Sequence, residues 1–215
     1  MPSDNHTVTL ADEFVLLLHK GDGTHYDTAA TTATAVARIA ELTCRDRARL
    51  DDGKVYITDS STTGIGWMDE LLTELETRPG QKLSSWLTLQ LSTFSDHRAH
   101  LLETGLLRKE TEKKLGFLSF DYHYPDEAQR ERSMSRIRDT ADGTAAPDDR
   151  TALLIAITHA SGLAKKLDLT DAQRRRLAEI ADDNALGGAV SAQTAETMAV
   201  LVGAMAIMVM PGFDQ

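Results

Sequence analysis

Apolar residues recur at helical spacing along most of the chain, and this pattern predicts a mainly α-helical protein. Thr9 and Asp12 have the spacing of a capping box and predict the start of the first helix. Thr170 and Gln173 predict a second capped helix start. The segment RTALLIAITHASGLAKKL, residues 150–167, has the period of an amphipathic helix, and the most apolar segment, residues 198–210, predicts a buried core helix.

Two segments instead predict β-hairpins. The sequence RLDDGKVYITD places the turn Asp52-Gly53 between two short apolar runs. The sequence LLRKETEKKLGFLSF contains a strand, a charged turn and a strand in which apolar residues alternate. We expect residues 115–117, close behind the lysines of the turn, to leave the core. The alternation continues along one face of the second strand, which we expect to pack on the domain: Leu118, Phe120, Tyr122 and Tyr124.

The chain reads as one domain. Its 215 residues are enough to bury a proper core, and the only linker-like stretch, DTADGTAAPDD at residues 139–149, is interpreted as a loop. We therefore predict an N-terminal tail at residues 1–8 and a single domain at residues 9–215. The predicted fold class is mainly α: a single helical domain with two β-hairpins.

Charge and composition exclude several classes of protein. The net charge of −10 argues against a general nucleic-acid binder, whose affinity depends on phosphate neutralisation. A helix pair followed by a hairpin also resembles a winged helix, but the presumed recognition helix has Arg38 as its only basic residue before Arg45. DNA binding therefore stays a remote alternative, and no nucleic-acid partner is expected.

The compartment is predicted from the cysteine content and from the length of the apolar segments. Cys44 is the only cysteine, which excludes an internal disulfide and favours a reducing, cytoplasmic setting. The apolar segment at residues 198–210 is shorter than the roughly 20 residues that span a bilayer as a helix. We expect a protein that is soluble or lies on a membrane.

No set of residues in the sequence predicts an active site or a metal site. His97 and His100 have helical i, i+3 spacing, but no third ligand follows, so we interpret them as surface histidines beside Arg98. His159 and Ser161 are two positions apart on a helix and do not face each other. No metal, cofactor or enzymatic activity is therefore predicted.

Several motifs, in their order and spacing, resemble those of the Golgi phosphoprotein 3 family. They are VTLADEFVLLL, AELTCRDRARL, TTGIGWMDELL, LLETGLLRKE, KKLGFLSF and DDRTALLIAITHASGLAKKL. The resemblance extends over nearly the whole chain, from about residue 9 to residue 203. The chain is identified as a divergent member of this family, of bacterial type.

The resemblance implies a mainly α-helical domain with β-hairpins and no catalytic activity. Eukaryotic members of the family are peripheral membrane proteins that bind phosphatidylinositol 4-phosphate and act as adaptors retaining glycosyltransferases in the Golgi. Their lipid pocket uses a tryptophan in the loop after the first helix, an arginine on the next helix and two further arginines. An apolar hairpin tip beside that pocket inserts into the bilayer.

The family's pocket residues transfer only in part. The tryptophan position falls on Tyr26 and the helix arginine on Ala35, while the arginine pair falls on Leu91 and Phe94. Because a bidentate phosphate clamp needs arginines in a fixed geometry, this resemblance implies a degraded headgroup pocket. Basic side chains lie about one turn from the lost arginines, so the predicted headgroup residues are Tyr26, Arg38, His97 and Arg98.

The first hypothesis is a non-enzymatic adaptor, cytoplasmic and peripheral to the membrane, that binds anionic lipid, a phosphoinositide by resemblance, and a protein client. The hairpin provides its membrane contact through Lys113, Lys114, Leu115, Phe117, Leu118 and Phe120. The alternative is a cytoplasmic protein–protein adaptor that has lost phosphoinositide binding. In that case the hairpin docks on another chain, including a second copy of itself.

Overall fold

The structure is a computed structural model, and it describes residues 7–26, 28–114, 118–182 and 190–209. The described elements, in chain order, are α1 Leu10–Leu18, α2 Ala30–Cys44, β1 Ala48–Asp51, β2 Lys54–Ile57, α3 Gly66–Glu76, β3 Gln81–Lys82, α4 Leu83–Leu87, α5 Thr93–Glu103, β4 Leu107–Lys114, β5 Leu118–Pro125, α6 Glu127–Ala141, α7 Asp149–Ala160, a 3₁₀ turn Leu163–Lys165, α8 Asp171–Ala181 and α9 Ala192–Val209. The mainly α fold with two hairpins is confirmed.

Local signals placed the helix starts correctly. Both capping boxes form, with Thr9 capping α1 and Thr170 capping α8. The first hairpin, β1–β2, gains a third strand that the sequence did not predict, because Gln81 of β3 pairs with Val55. A strand of two residues is too short to show an alternating pattern.

Helices α1 and α7 form the centre of the core. All nine residues of α1 are buried, as are the eight consecutive residues 151–158 of α7. Helix α7 is therefore buried on every side rather than amphipathic. It ends at Ala160, short of the predicted Leu167, because Gly162 adopts the left-handed conformation (φ +76°) that ends helices.

Buried charges tie these central helices together. The Arg150 guanidinium of α7 lies 2.9 Å from the Glu41 carboxylate of α2 and 3.3 Å from the Glu13 carboxylate of α1. Arg136 of α6 completes the group, 2.5 Å from Glu13. The Glu41 side chain is fully buried and has a second cation beside it, Arg45, whose Nε lies 2.5 Å from the carboxylate. Glu41 also accepts a hydrogen bond from the Leu10 backbone N–H at the start of α1.

The second hairpin, β4–β5, is held at its base. Its register pairs Leu107 with Pro125 at the base and Lys114 with Leu118 at the far end. The Asp126 N–H donates to the Leu106 carbonyl, 2.8 Å away, and the His123 N–H donates to the Gly23 carbonyl in the α1–α2 loop, 2.7 Å away. The first of these bonds extends the ladder by one residue beyond the strands, and the second joins the hairpin to the α1–α2 loop.

The far half of this hairpin is exposed. Leu118 is 41% exposed and Phe120 43%, whereas Tyr122 and Tyr124 are half-buried. The expectation that this whole face packs on the domain was therefore wrong for Leu118 and Phe120. The physical reason is that the two strands extend past the body, which contacts only their base. The turn at residues 115–117, with the predicted Leu115 and Phe117, and the Lys114 side chain lie outside the described residues.

The close contact between the loop and the hairpin requires glycine at position 23. Gly23 has φ +80°, and a Cβ placed there would lie 2.7 Å from the Cβ of Tyr122. Gly105 makes a matched control because it has φ +76° with no atom within 4 Å of the Cβ position.

We expect Gly105→Ala to lower the free energy of unfolding by about 1–2 kcal/mol, the cost of the left-handed conformation alone. Gly23→Ala should cost clearly more, because the added methyl group also displaces the hairpin. Urea unfolding of both variants measures the difference. Equal losses would show that the contact with Tyr122 does not constrain the fold.

Candidate functional site

The four predicted headgroup residues do not form one cluster: His97 and Arg98 lie on helix α5, but Arg38 lies on α2 and Tyr26 in the α1–α2 loop. His97 and Arg38 lie together on the buried side, in contact with α1 and α2. Arg98, the next residue along α5, stacks on Phe94 beside the base of the hairpin. Tyr26 lies in the α1–α2 loop with its ring 5.0 Å from the Lys20 ammonium group.

The first cluster is a buried hydrogen-bonded chain. His97 is fully buried, so its interpretation as a surface histidine was wrong. Its Nδ1 accepts a hydrogen bond from Arg38 Nε, 3.2 Å away, because a guanidinium can only donate. The other ring nitrogen, Nε2, therefore carries the proton and donates to the Asp12 carboxylate, 2.9 Å away. Asp12 is 85 residues distant in sequence, so no local pattern could reveal this partner.

Burial and charge fix the ionisation of this chain. Burial lowers the pKa of His97, against the opposing effect of Asp12. Burial opposes the ionisation of Asp12, but hydrogen bonds from His97 and Thr9 outweigh it and hold the pKa of Asp12 below its usual value. The result is a neutral imidazole beside an ionised carboxylate.

Arg38 lines a cleft of about 580 Å³ whose surroundings are acidic. Its guanidinium stacks on Trp67, 5.2 Å from the ring centroid. Burial lowers the pKa of Arg38, and the nearby Asp96 and Glu70 carboxylates oppose that shift. These carboxylates would repel a phosphate, so Arg38 and His97 are better suited to a structural role than to headgroup binding.

The second cluster lies between α1, α5 and the hairpin, and we call it the histidine cluster: His19, His25, His123, Phe94 and Arg98. The Phe94 ring is 5.9 Å from the ring of His19, 5.4 Å from that of His25 and 5.5 Å from the Arg98 guanidinium. The rings of His25 and His123 each lie 6.1 Å from the ring of His19. His19 and His123 are buried, His25 is exposed and Arg98 is half-buried.

The tautomer of His19 follows from its surroundings. Its Nδ1 donates to the Val15 carbonyl, 2.8 Å away, so Nε2 carries the lone pair. This buried Nε2 has no hydrogen-bond partner among the described residues. Burial lowers the pKa of His19 to about 4, with smaller contributions from His25, His123 and Arg98.

His123 is also neutral at pH 7. Burial lowers its pKa, and the positive charges of Arg98 and Lys109 lower it further, whereas Asp121 opposes the shift. Arg98 is the permanent cation of the cluster, and within the described parts of the chain it forms no ion pair with a carboxylate. Its charge is therefore available to an anion from outside.

Sequence analysis missed the three histidines of this cluster. They lie on separate segments, at the end of α1, in the α1–α2 loop and on β5, so their spacing carries no signal. The hairpin alternation does place His123 on the face opposite Tyr122 and Tyr124. Within the described ranges, no group of three or more His, Cys, Asp or Glu side chains has a geometry that could hold a metal ion.

Comparison with known proteins identifies the family. A family model described as Golgi phosphoprotein 3 (GPP34) matches residues 10–197. The chain therefore belongs to the Golgi phosphoprotein 3 family, which confirms the resemblance found in the motifs. A comparison with curated proteins found no match. Of the helices described, none is long and apolar enough to cross a bilayer.

The buried chain through His97 predicts a large effect of Asp12→Asn. The amide cannot accept both hydrogen bonds as a carboxylate does, so the free energy of unfolding should fall by about 1–3 kcal/mol at pH 7. Because the pKa of Asp12 is lowered in the folded state, this contribution is present above pH 3.8 and is lost as the pH falls below that value.

Urea unfolding at several pH values measures the loss. The matched control is Asp168→Asn, a change at an exposed aspartate, which should alter stability by less than about 0.5 kcal/mol. An Asp12→Asn protein as stable as this control would contradict the ionised state of Asp12.

Proposed function

We propose that this protein is a non-enzymatic adaptor that binds the surface of an anionic membrane from the cytoplasm. The hairpin β4–β5 provides the apolar contact, and Arg98 with the neighbouring histidines receives the phosphate of a lipid headgroup. The observation that carries the proposal is the exposure of Leu118 and Phe120 on a hairpin that extends past the body. Membership of the Golgi phosphoprotein 3 family supports a general role as an adaptor.

The exposed apolar side chains make the hairpin suited to a bilayer. Apolar surface transferred from water gains about 25 cal/mol per Å². Leu118 and Phe120 lie on the same face of β5, opposite Lys114 and Glu112 of β4. Residues 108–114 carry four basic and two acidic side chains, against the negative charge of the whole chain. Each lysine near an anionic surface adds about 1 kcal/mol of attraction.

The direction of the hairpin supports a membrane-facing end of the molecule. Strand β5 ends beside Leu106, just after the end of α5. The His123 ring of the same strand lies 6.1 Å from the His19 ring, and His19 stacks on Phe94 near the start of α5. The hairpin therefore passes the start of α5 at the level of His123. Leu91, which precedes α5, is 84% exposed, so apolar side chains lie exposed on both segments at this end.

The headgroup site we propose differs from the one predicted from sequence. Arg98 and Tyr26 stay in it, because both lie at the segments that meet the hairpin base. Arg38 and His97 are left out, because Arg38 lies among carboxylates and His97 is buried against Asp12. Phe94, at the position of a family arginine, forms the floor on which Arg98 stacks.

Co-sedimentation with vesicles tests the proposal. Wild-type protein should bind phosphatidylcholine vesicles that contain phosphatidylserine or phosphatidylinositol 4-phosphate. Leu118→Asp with Phe120→Asp should weaken binding at least about tenfold, since placing two carboxylates in the interface removes more than about 1.4 kcal/mol. The matched control is Ile207→Asp, which introduces a carboxylate at an equally exposed apolar residue of α9.

Two outcomes would contradict the proposal. The first is wild-type protein that does not sediment with any of these vesicles. The second is a double variant that binds as well as the Ile207→Asp control. A wild-type dimer that dissociates on the double substitution would favour instead the adaptor whose hairpin docks on a second copy of the chain.

A further inference from the structure

We propose that the histidine cluster couples phosphate binding to proton uptake, so that a terminal phosphate group contacting Arg98 is bound more tightly when His123 is protonated. The inference rests on the proposed function only for the location of the headgroup. The shared chemistry is a terminal phosphate group, which a phosphorylated lipid headgroup or free inorganic phosphate can supply.

The geometry brings the necessary groups together. The cluster joins a permanent cation, Arg98, to His123 through the rings of Phe94 and His19. Arg98 is half-buried and His25 is exposed, so an anion can reach the cluster from solvent. His19 Nε2 is a buried acceptor that lacks a hydrogen-bond donor among the described residues.

Besides Arg98 of the cluster itself, two cations lie beside it: Lys109 from β4 and Arg130 from α6. Arg98 and Lys109 act directly on the charge of His123. The Arg130 Nε donates to the His19 carbonyl, 3.1 Å away. These cations oppose a further positive charge on His123 in the absence of an anion.

The carboxylates that face the cluster already have partners. Asp121 lies 2.7 Å from the Lys109 ammonium group, and Glu127 lies 3.9 Å from Arg130. Asp22 accepts hydrogen bonds from the Thr24 backbone and hydroxyl. Within the described segments, a protonated His123 therefore adds a cation to a site whose carboxylates are engaged. A phosphate beside Arg98 offsets that charge.

The sign of the pH effect follows from this arrangement. In the free protein the pKa of His123 is lowered, so His123 is neutral at pH 7. A bound phosphate raises that pKa, so affinity increases as the pH falls through the value in the complex. The folding stability of the free protein changes in the opposite direction. Because the pKa values of His19 and His123 are lowered in the folded state, their contribution to stability is lost as the pH falls below 6.5, the ordinary pKa of histidine.

The test is titration calorimetry of the full chain with inorganic phosphate and with inositol 4-phosphate, in buffers of different ionisation enthalpy. We expect both ligands to bind at least about fivefold more tightly near pH 6 than near pH 7.5, with net proton uptake at the higher pH. His123→Phe keeps the ring and removes the titration, so its affinity should not increase on acidification. His159→Phe, at a half-buried histidine of α7 outside the cluster, should behave as wild type.

Arg98→Gln should abolish phosphate binding at every pH. Wild-type affinity that does not change with pH, or binding without proton uptake, would overturn the proposal. Histidine ring NMR signals of the wild type provide a second readout if His123→Phe does not fold. A phosphate titration that leaves the His123 signal unmoved at every pH would also overturn it.

Different experimental outcomes would reject the proton coupling and the proposed membrane function. Vesicle binding that requires Leu118 and Phe120 but has the same strength at both pH values would leave the membrane adaptor standing and reject the proton coupling. Protein that binds inositol 4-phosphate with proton uptake but never sediments with vesicles would support the coupling and reject membrane contact. Binding of free phosphate alone would identify a soluble ligand as the source.

Discussion

The pairing of Arg150 with two buried glutamates is the interaction on which the rest of this structure depends. Glu13 lies on α1 and Glu41 on α2, two of the helices that pack against α7, and the Arg150 guanidinium pairs with both buried carboxylates. Removing one partner of such a group typically costs 3–5 kcal/mol, because the remaining charge is left buried. The same guanidinium donates to the Val8 carbonyl, which fixes where α1 begins. The first turn of α1 is thereby held against α2 and α7.

The buried helix α1 leads directly to the candidate site. His19 is the residue at which this helix ends, and the loop that follows reaches the hairpin through Gly23. A two-stranded hairpin is only marginally stable by itself, so contacts at its base decide how it is oriented. The Gly23 carbonyl and the rings around Phe94 provide those contacts. In the far half, Leu118 and Phe120 remain partly exposed.

Sequence predicted the features that depend on neighbouring residues. Capping boxes at Thr9 and Thr170 and the turn of the first hairpin are set by spacings of a few residues, and all three form. The site depended instead on residues distant in sequence, such as the 85 residues between Asp12 and His97. Burial likewise depended on tertiary packing, so an i, i+3 histidine pair that looked exposed contains a fully buried His97. The alternation of residues in β5 correctly assigned side chains to the two faces of the hairpin. It did not predict which of these side chains the rest of the domain covers.

The central claim is that the exposed face of the hairpin enters the membrane surface. The most direct measurement is fluorescence quenching of a probe at Phe120→Cys by lipids that carry nitroxides, in a Cys44→Ser background. Burial raises the pKa of Cys44 to about 12, so removing this thiol chiefly simplifies labelling. The account predicts strong quenching at position 120 and weak quenching for a probe at Ile207→Cys on α9. Equal quenching at the two positions, or none at position 120 in vesicle-bound protein, would contradict it.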